Sequence, residues 1–278
     1  MNYNYKLGII GAGNMAKAIA NGIVDSKLID KSKIIATDPF ADLGIDGIVT
    51  HKDNTLVLND CEYILLAVKP QIYNEIAKEI GNNCKAKHII SIMAGITYDG
   101  IKKYFPNANV TRVMPNTPCK LKKGMTAIRK DDNIPQSEKD FVKSIFDSIG
   151  KTIYLEEELF HAVTAVSGSG PAYVYMFIEG MIESGVKMGM SAEDAKTCVL
   201  QTFAGSIGMV ESENTPICDL INAVCSKGGT TIQAVESFRQ DNLYEIIDSA
   251  MVKCRNRSEE LGKWNIFKYI PTGLAVIT

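Results

Sequence analysis

Six consecutive residues, Ser226-Lys227-Gly228-Gly229-Thr230-Thr231, stand between one helical pattern at 217–224 and another at 232–240. Adjacent glycines let a backbone come close to a ligand. The start of a helix presents unpaired N–H groups at the positive end of its dipole. The chemistry this suits is capture of a small anion such as a carboxylate. The same residues also suit a plain capped helix joined to its neighbour by a glycine turn.

A second stretch with chemistry in it is Gly11-Ala12-Gly13-Asn14-Met15-Ala16, which follows the apolar run Leu7-Gly8-Ile9-Ile10 and opens a small-residue helical pattern. This is G-x-G-x-x-A. Gly11 makes the tight turn, Gly13 lets a pyrophosphate approach the backbone, and the small third residue allows close helix-to-strand packing. Strand, glycines and helix in that order predict a dinucleotide site. The next strand pattern, 33–37, delivers Asp38 to its carboxyl end. A carboxylate there accepts hydrogen bonds from ribose hydroxyls and repels a 2′-phosphate, which leans toward NADH and leaves NADPH open. Asp38 before Pro39 also reads as an ordinary turn residue.

The elements needed to hold these residues are legible around them. Residues 63–68 form a buried-strand pattern ending at Lys69-Pro70, followed by a helix at 72–80. Residues 88–92 form another, ending at Met93-Ala94-Gly95 before a helix at 97–104. Residues 109–113 close on Met114-Pro115-Asn116-Thr117-Pro118. Ligands of open α/β sheets bind at the carboxyl ends of strands, so Ala67, Val68, Lys69 and Pro70 should face the nucleotide. Two prolines bracketing Asn116-Thr117 predict a rigid loop without the helical option, able to hold polar groups against a nicotinamide ring or to act as a stiff connector. Strand, helix and edge strand at 125–128, 135–149 and 151–155 complete a Rossmann-like doubly wound parallel sheet over residues 1–157.

From Leu159 to about Leu261 period-3.6 apolar residues dominate, which makes residues 158–278 a second, helical domain. A glycine-serine hinge at 166–173 carries Pro171 into a long helix at 172–188, apolar on more sides than one core stripe needs. A partner subunit could cover the excess, or the helix could be central to its own monomer. Ser191 reads as the N-cap of a helix over 195–210. The chain of 278 residues is 46% hydrophobic, enough for two ordinary cores, and its 30 basic and 32 acidic residues leave a net charge of −2. That balance points away from nucleic acid and anionic membranes and toward a small ligand. No apolar run approaches the ~20 residues that span a bilayer, and the first residues lead straight into a strand rather than a leader. Seven cysteines without a C-x-x-C pair predict a reducing, cytoplasmic setting. His51, His88 and His161 share no metal-ligand spacing, so no metal is expected, and Cys225 has no histidine placed to activate it.

Taken together, Pro216, Leu220, Val224, Cys225, Ser226, Gly228, Gly229, Thr231 and Ala234 resemble the signature of the pyrroline-5-carboxylate reductase family. The Gly-Ala-Gly-Asn-Met run, Ala67-Val68-Lys69-Pro70, the Asn116 loop and Ser167-Gly-Ser-Gly-Pro-Ala-Tyr173 match in order, so the resemblance covers about residues 6–263. It implies reduction of the C=N bond of 1-pyrroline-5-carboxylate to L-proline by a nicotinamide hydride. By the same resemblance Ser226, Gly228, Gly229, Thr230 and Thr231 hold the substrate carboxylate, with Thr231 catalytic through a hydrogen bond to the ring nitrogen. The resemblance also implies that Glu213 lies near that nitrogen. The implied nucleotide contacts are Ile10, Gly11, Ala12, Gly13, Asn14, Met15, Asp38, Asn54, Ala67, Val68, Lys69, Pro70, Met93, Ala94, Gly95 and Asn116. An all-α C-terminal dimerisation domain, forming a homodimer and larger rings of dimers, is also implied. A reductase of another cyclic imine or ketone, or a dinucleotide-sensing regulator without chemistry, are the rival readings. Lys227 stands where the family usually has proline, and residues 264–278 extend past the usual end.

Overall fold

Buried β-branched and aliphatic runs build the sheet. Tyr5–Ile10 (β1), Ile34–Thr37 (β2), Thr50–His51 (β3), Cys61–Leu66 (β4), His88–Ser91 (β5), Asn109–Met114 (β6), Gly124–Arg129 (β7) and Gly150–Leu155 (β8) form one eight-stranded sheet in the order β3-β2-β1-β4-β5-β6-β7-β8. The computed structural model describes residues 3–81 and 84–267, without the side chains of 263–267. The extra tail therefore lies outside the described residues, apart from the helical backbone up to Phe267.

Period-two alternation splits the side chains of the sheet between two cores. On one face Leu7, Ile9, Ile34, Ala36, Tyr63 and Leu65 pack with Ala16, Ile19 and Ile23 of Asn14–Asp25 (α1) and Val142, Ile145 and Phe146 of Gln136–Asp147 (α4). On the other, Ile10, Ile35, Ile64, Leu66 and Ile89 pack with Tyr73, Ala77 and Ile80 of Tyr73–Ile80 (α2) and Ile101 of Tyr98–Lys102 (α3). Helices on both faces explain why the strands read as continuous apolar runs.

The sheet is parallel except at one pair. β6 and β7 run antiparallel, with Val113 opposite Ile128. The connection between them is too short for a helical crossover, which a parallel partner would need. That connection also departs from the expected helix-free loop. Thr117–Leu121 form a 3-10 turn with Pro118 in its first turn, where the missing N–H costs nothing.

A polar cluster lies at the opposite, amino-terminal edge of the sheet. Glu138 in α4 is 1% exposed; its Oε2 accepts from His88 Nδ1 and from Asn109 Nδ2, each at 2.8 Å, and its Oε1 lies 3.0 Å from Lys87 Nζ. His88 Nε2 faces the Thr111 hydroxyl at 2.8 Å. Burial pushes the Glu138 carboxyl up, but the bonds from His88, Asn109 and Lys87 outweigh it and bring the pKa down to about 2. A depressed folded-state pKa stabilises the protein above the ordinary value near 4.5, and this is lost as pH falls toward 2. We expect Glu138→Gln to cost about 2–3 kcal/mol near neutral pH. Its melting temperature should converge on that of the wild type as the pH is lowered from about 4.5, whereas a gap independent of pH would remove the ionised carboxylate as its cause.

The chain divides into two compact units, residues 1–169 with 254–278, and residues 170–253. Phe160–Val163 (α5) belongs to the first, packed with Ala127 of β7. The expected hinge is not open chain. Thr164–Gly168 form a π-type turn closed by Ser169 N–H to the Thr164 carbonyl at 2.8 Å, and Gly170–Lys187 (α6) follows after one bend. The second unit holds α6, Ala192–Ser212 (α7), Ile217–Val224 (α8), Thr230–Gln240 (α9) and the first half of Leu243–Phe267 (α10). Ser191 caps α7 as expected, accepting from Asp194 N–H.

Among the described residues the second unit contributes only Ala195 and Val199 to the buried hydrophobic set. Val174, Met176, Phe177 and Met181 of α6, Ile207 and Val210 of α7, and Ile246 of α10 stand exposed. An apolar groove of about 340 Å³ lies between Tyr173, Met176 and Phe177 of α6 and Leu243, Ile246, Ile247, Ala250 and Met251 of α10. Apolar helix faces of this extent mark an association surface rather than a finished core.

Candidate functional site

In the first unit one turn gathers the carboxyl ends of three strands. Gly11 has φ +101°, donates its N–H to the Thr37 carbonyl at 2.8 Å, and lies so close to β4's end that a Cβ would fall 2.6 Å from the Ala67 carbonyl oxygen. Ala67 N–H in turn donates to the Ile10 carbonyl at 2.8 Å. The turn thereby ties the carboxyl ends of β1, β2 and β4 together. Gly13 is the residue just before α1; the helix start has no side-chain cap, and a Cβ there would meet nothing within 4 Å. Open space above uncapped N–H groups is what a pyrophosphate requires, so the residues present fit a dinucleotide.

Asp38 takes part in the same turn. Its Oδ2 accepts from Ala12 N–H at 2.8 Å, and its Oδ1 accepts from the N–H groups of Phe40 and Ala41, each at 2.9 Å. Burial pushes this carboxyl up, yet the three backbone bonds hold it below the usual carboxylate range, so it is ionised at neutral pH. The sequence offered a ribose contact or a turn residue. The structure displays the turn role, with one carboxylate bracing both the glycine turn and its own loop. Asn54 stands nearby, its Oδ1 accepting from the Thr37 hydroxyl at 2.8 Å.

The other nucleotide-site candidates divide by environment. Gly13, Asn14 and Lys69 are exposed, while Met15, Ala67, Val68, Pro70 and Ala94 are half-buried; Ile10, Gly11, Ala12, Met93 and Gly95 are buried. Gly95 packs against α10, where a Cβ would lie 3.2 Å from Leu261 Cβ. Asn116 is 9% exposed and bonded inward. Its Oδ1 accepts from Met125 N–H at 2.9 Å, and its Nδ2 donates to the Ser167 carbonyl and hydroxyl at 3.2 Å. The amide clamps the proline loop to β7 and to the π-type turn. No spacing in the sequence predicts those partners, since Ser167 lies 51 positions away.

In the second unit, α8 ends and the loop at 226–231 turns directly into α9. Gly228 has φ +72°, and Gly229 N–H donates to the Ser226 carbonyl at 3.0 Å. A Cβ on Gly229 would fall 2.2 Å from Ser226 Oγ. α9 has Gly229 as N-cap and no side-chain cap, so no capping side chain satisfies its first N–H groups. This departs from the plain capped-helix alternative. Thr231 is half-buried, and Ser226, Lys227, Gly228 and Thr230 are exposed. Glu213, exposed at the end of α7, accepts from the Thr215 hydroxyl at 3.3 Å.

Among the described residues no group of three or more His, Cys, Asp or Glu could hold a metal ion, and no helix is long and apolar enough to cross a membrane. All seven cysteines are free.

Comparison with known proteins bears on both units. Residues 157–261 match the family model for pyrroline-5-carboxylate reductase dimerisation, and residues 6–95 match that for NADP oxidoreductase, coenzyme F420-dependent. The pyrroline-5-carboxylate reductase of Synechocystis sp. is 34% identical over 263 residues, covering 93% of this chain and 98% of that protein. That of Staphylococcus aureus is 32% identical, covering 92% and 97%. A crystal structure of Plasmodium falciparum pyrroline carboxylate reductase with NADP bound superposes with a TM-score of 0.86 at 32% identity, over 94% of this chain and 100% of that one. Near-complete coverage in both directions, joined to an uncapped glycine turn in each unit, leads to one conclusion: the chain belongs to the pyrroline-5-carboxylate reductase family.

Proposed function

We propose that this chain reduces 1-pyrroline-5-carboxylate to L-proline, with NAD(P)H held on the first unit and the substrate carboxylate held at the loop 226–231. The observation that carries the substrate reading is the uncapped amino end of α9, behind a glycine pair that keeps its backbone open. Backbone N–H groups and the hydroxyls of Ser226 and Thr230 serve the carboxylate. Gly11, Ala12, Gly13, Asn14 and Met15 cradle the pyrophosphate, with Asp38 bracing the turn.

The bound nicotinamide supplies the hydride, which adds to the imine carbon. What the protein must contribute is position and a donor at nitrogen. Thr231 donates a hydrogen bond to the lone pair of the ring nitrogen, making the C=N bond electron-poor, and gives that nitrogen the proton it gains as the hydride adds to carbon, the hydroxyl then recovering a proton from water. Glu213 lends negative charge that favours protonation of the ring nitrogen. Functional domains at 1–157 and 158–278 are part of this reading, supported by the match of residues 157–261 to a dimerisation model. The exposed apolar faces of α6, α7 and α10 support a homodimer through the second domain. Free thiols throughout support a reducing, cytoplasmic setting.

The test is oxidation of NADH and of NADPH in the presence of 1-pyrroline-5-carboxylate, followed by proline formation. Both products should appear together, and an enzyme that consumes neither cofactor sinks the reading. NADH should be favoured, because the Asp38 carboxylate repels a 2′-phosphate. Preference for NADPH would leave Asp38 its turn role alone.

A further inference from the structure

Phe40 is 97% exposed, the most exposed of the large hydrophobic side chains among the described residues. A single exposed apolar residue is ordinary. This one is not placed at random. It lies two residues past Asp38, at the carboxyl end of β2, where Pro39 restricts the chain and the Asp38 carboxylate accepts its N–H at 2.9 Å. The other oxygen of that carboxylate holds Ala12 N–H in the glycine turn at 2.8 Å. One side chain therefore fixes both the turn that suits a pyrophosphate and the backbone that presents Phe40.

The strand order decides which part of a ligand meets it. β2 is next to β1 on the side away from β4. A dinucleotide centred on the β1–α1 turn sends its adenosine toward β2 and its nicotinamide toward β4 and β5. The adenosine side also carries Leu56, 41% exposed, in a turn tied to β2 by the bond from the Thr37 hydroxyl to Asn54. An aromatic ring presented there on a braced backbone, with nothing over its face, matches a planar base that has its own π-face to cover.

We infer that Phe40 is a cofactor-binding residue whose ring stacks on the adenine of the bound dinucleotide. The inference rests on the nicotinamide-cofactor reading above and adds a determinant of affinity to it. Stacking explains why the loop is braced at its backbone while its largest side chain is left uncovered. It also separates the roles of two neighbours: Asp38 sets the geometry and Phe40 supplies contact area.

The experiment is calorimetric titration with ADP-ribose, which carries adenine and pyrophosphate without a nicotinamide, on wild type, Phe40→Ala and Phe40→Tyr. The expected result is about a tenfold loss of affinity for Phe40→Ala and near-wild-type binding for Phe40→Tyr. Turnover with reduced nicotinamide mononucleotide, which has no adenine, should be the same in all three. Unchanged ADP-ribose affinity in Phe40→Ala overturns the assignment, and so does an equal loss in Phe40→Tyr or an equal loss with the mononucleotide. Because ADP-ribose binding needs no imine, a protein that binds it through Phe40 yet fails to reduce 1-pyrroline-5-carboxylate supports the stacking and defeats only the reaction.

Discussion

Replacing Thr231 with alanine should lower kcat about 100-fold while leaving the affinity for NADH within about twofold of wild type. The size follows from what is removed. A positioned donor at the atom that gains electron density or a proton is worth roughly two orders of magnitude when its loss leaves that atom to water. The fold should not notice. Thr231 is the second residue of α9, half-buried, and alanine is the better helix former there. Two controls separate chemistry from structure. Thr231→Ser keeps the hydroxyl and should recover most of the rate. Thr230→Ala removes a hydroxyl about 100° further round the helix and should raise KM for the imine more than it lowers kcat. Steady-state kinetics on the four proteins decide the matter, and a Thr231→Ala enzyme with wild-type kcat would strip the residue of its catalytic role.

Much of this could be read from residues alone, for a physical reason. The Gly11-Ala12-Gly13 turn, the apolar runs of β1, β4, β5 and β6 and the Ser191 cap are local, so composition and spacing within about ten residues reveal them. What depends on distant partners was not legible. The antiparallel entry of β7 follows from the length of one connection, and the two-residue β3 has too little pattern to show. Glu138 looks like an ordinary acidic residue in a helix's first turn until β5 and β6 bring His88 and Asn109 to it. Arg112 in β6 is 1% exposed, bonded to Glu157 Oε1 at 2.7 Å and stacked over Phe160 at 4.7 Å, partners more than 40 positions away that no local pattern shows. Among candidate site residues the same division holds. The glycines announced their turns, whereas the inward bonds of Asn116 and the three N–H groups gathered by Asp38 needed the fold.

Replacing Gly11 with alanine should weaken ADP-ribose or NADH binding more than about 100-fold and lower the melting temperature as well. Two costs add. At φ +101° an L-residue is strained by at least ~1–2 kcal/mol, and the new Cβ would stand 2.6 Å from the Ala67 carbonyl oxygen and 2.8 Å from its carbon. That neighbour is backbone, so no side-chain rotation relieves the clash. Relief must come from moving β1's end away from β4, which stretches the 2.8 Å bonds that join Gly11 to Thr37, Ala67 to Ile10 and Ala12 to Asp38. A few kcal/mol spread over those bonds corresponds to two or more orders of magnitude in binding. Gly13→Ala isolates the other half of the argument. Its φ of −72° suits any residue and its Cβ would meet no protein atom within 4 Å, so the melting temperature should stay where it is. Only a bound phosphate group would occupy that space, so only ligand affinity should fall. Calorimetry and thermal melts on both variants therefore give different patterns for two glycines of one turn: Gly11 needed for fold and ligand, Gly13 for ligand alone. A Gly13→Ala protein that binds ADP-ribose as tightly as wild type would show that the phosphates do not sit over the start of α1.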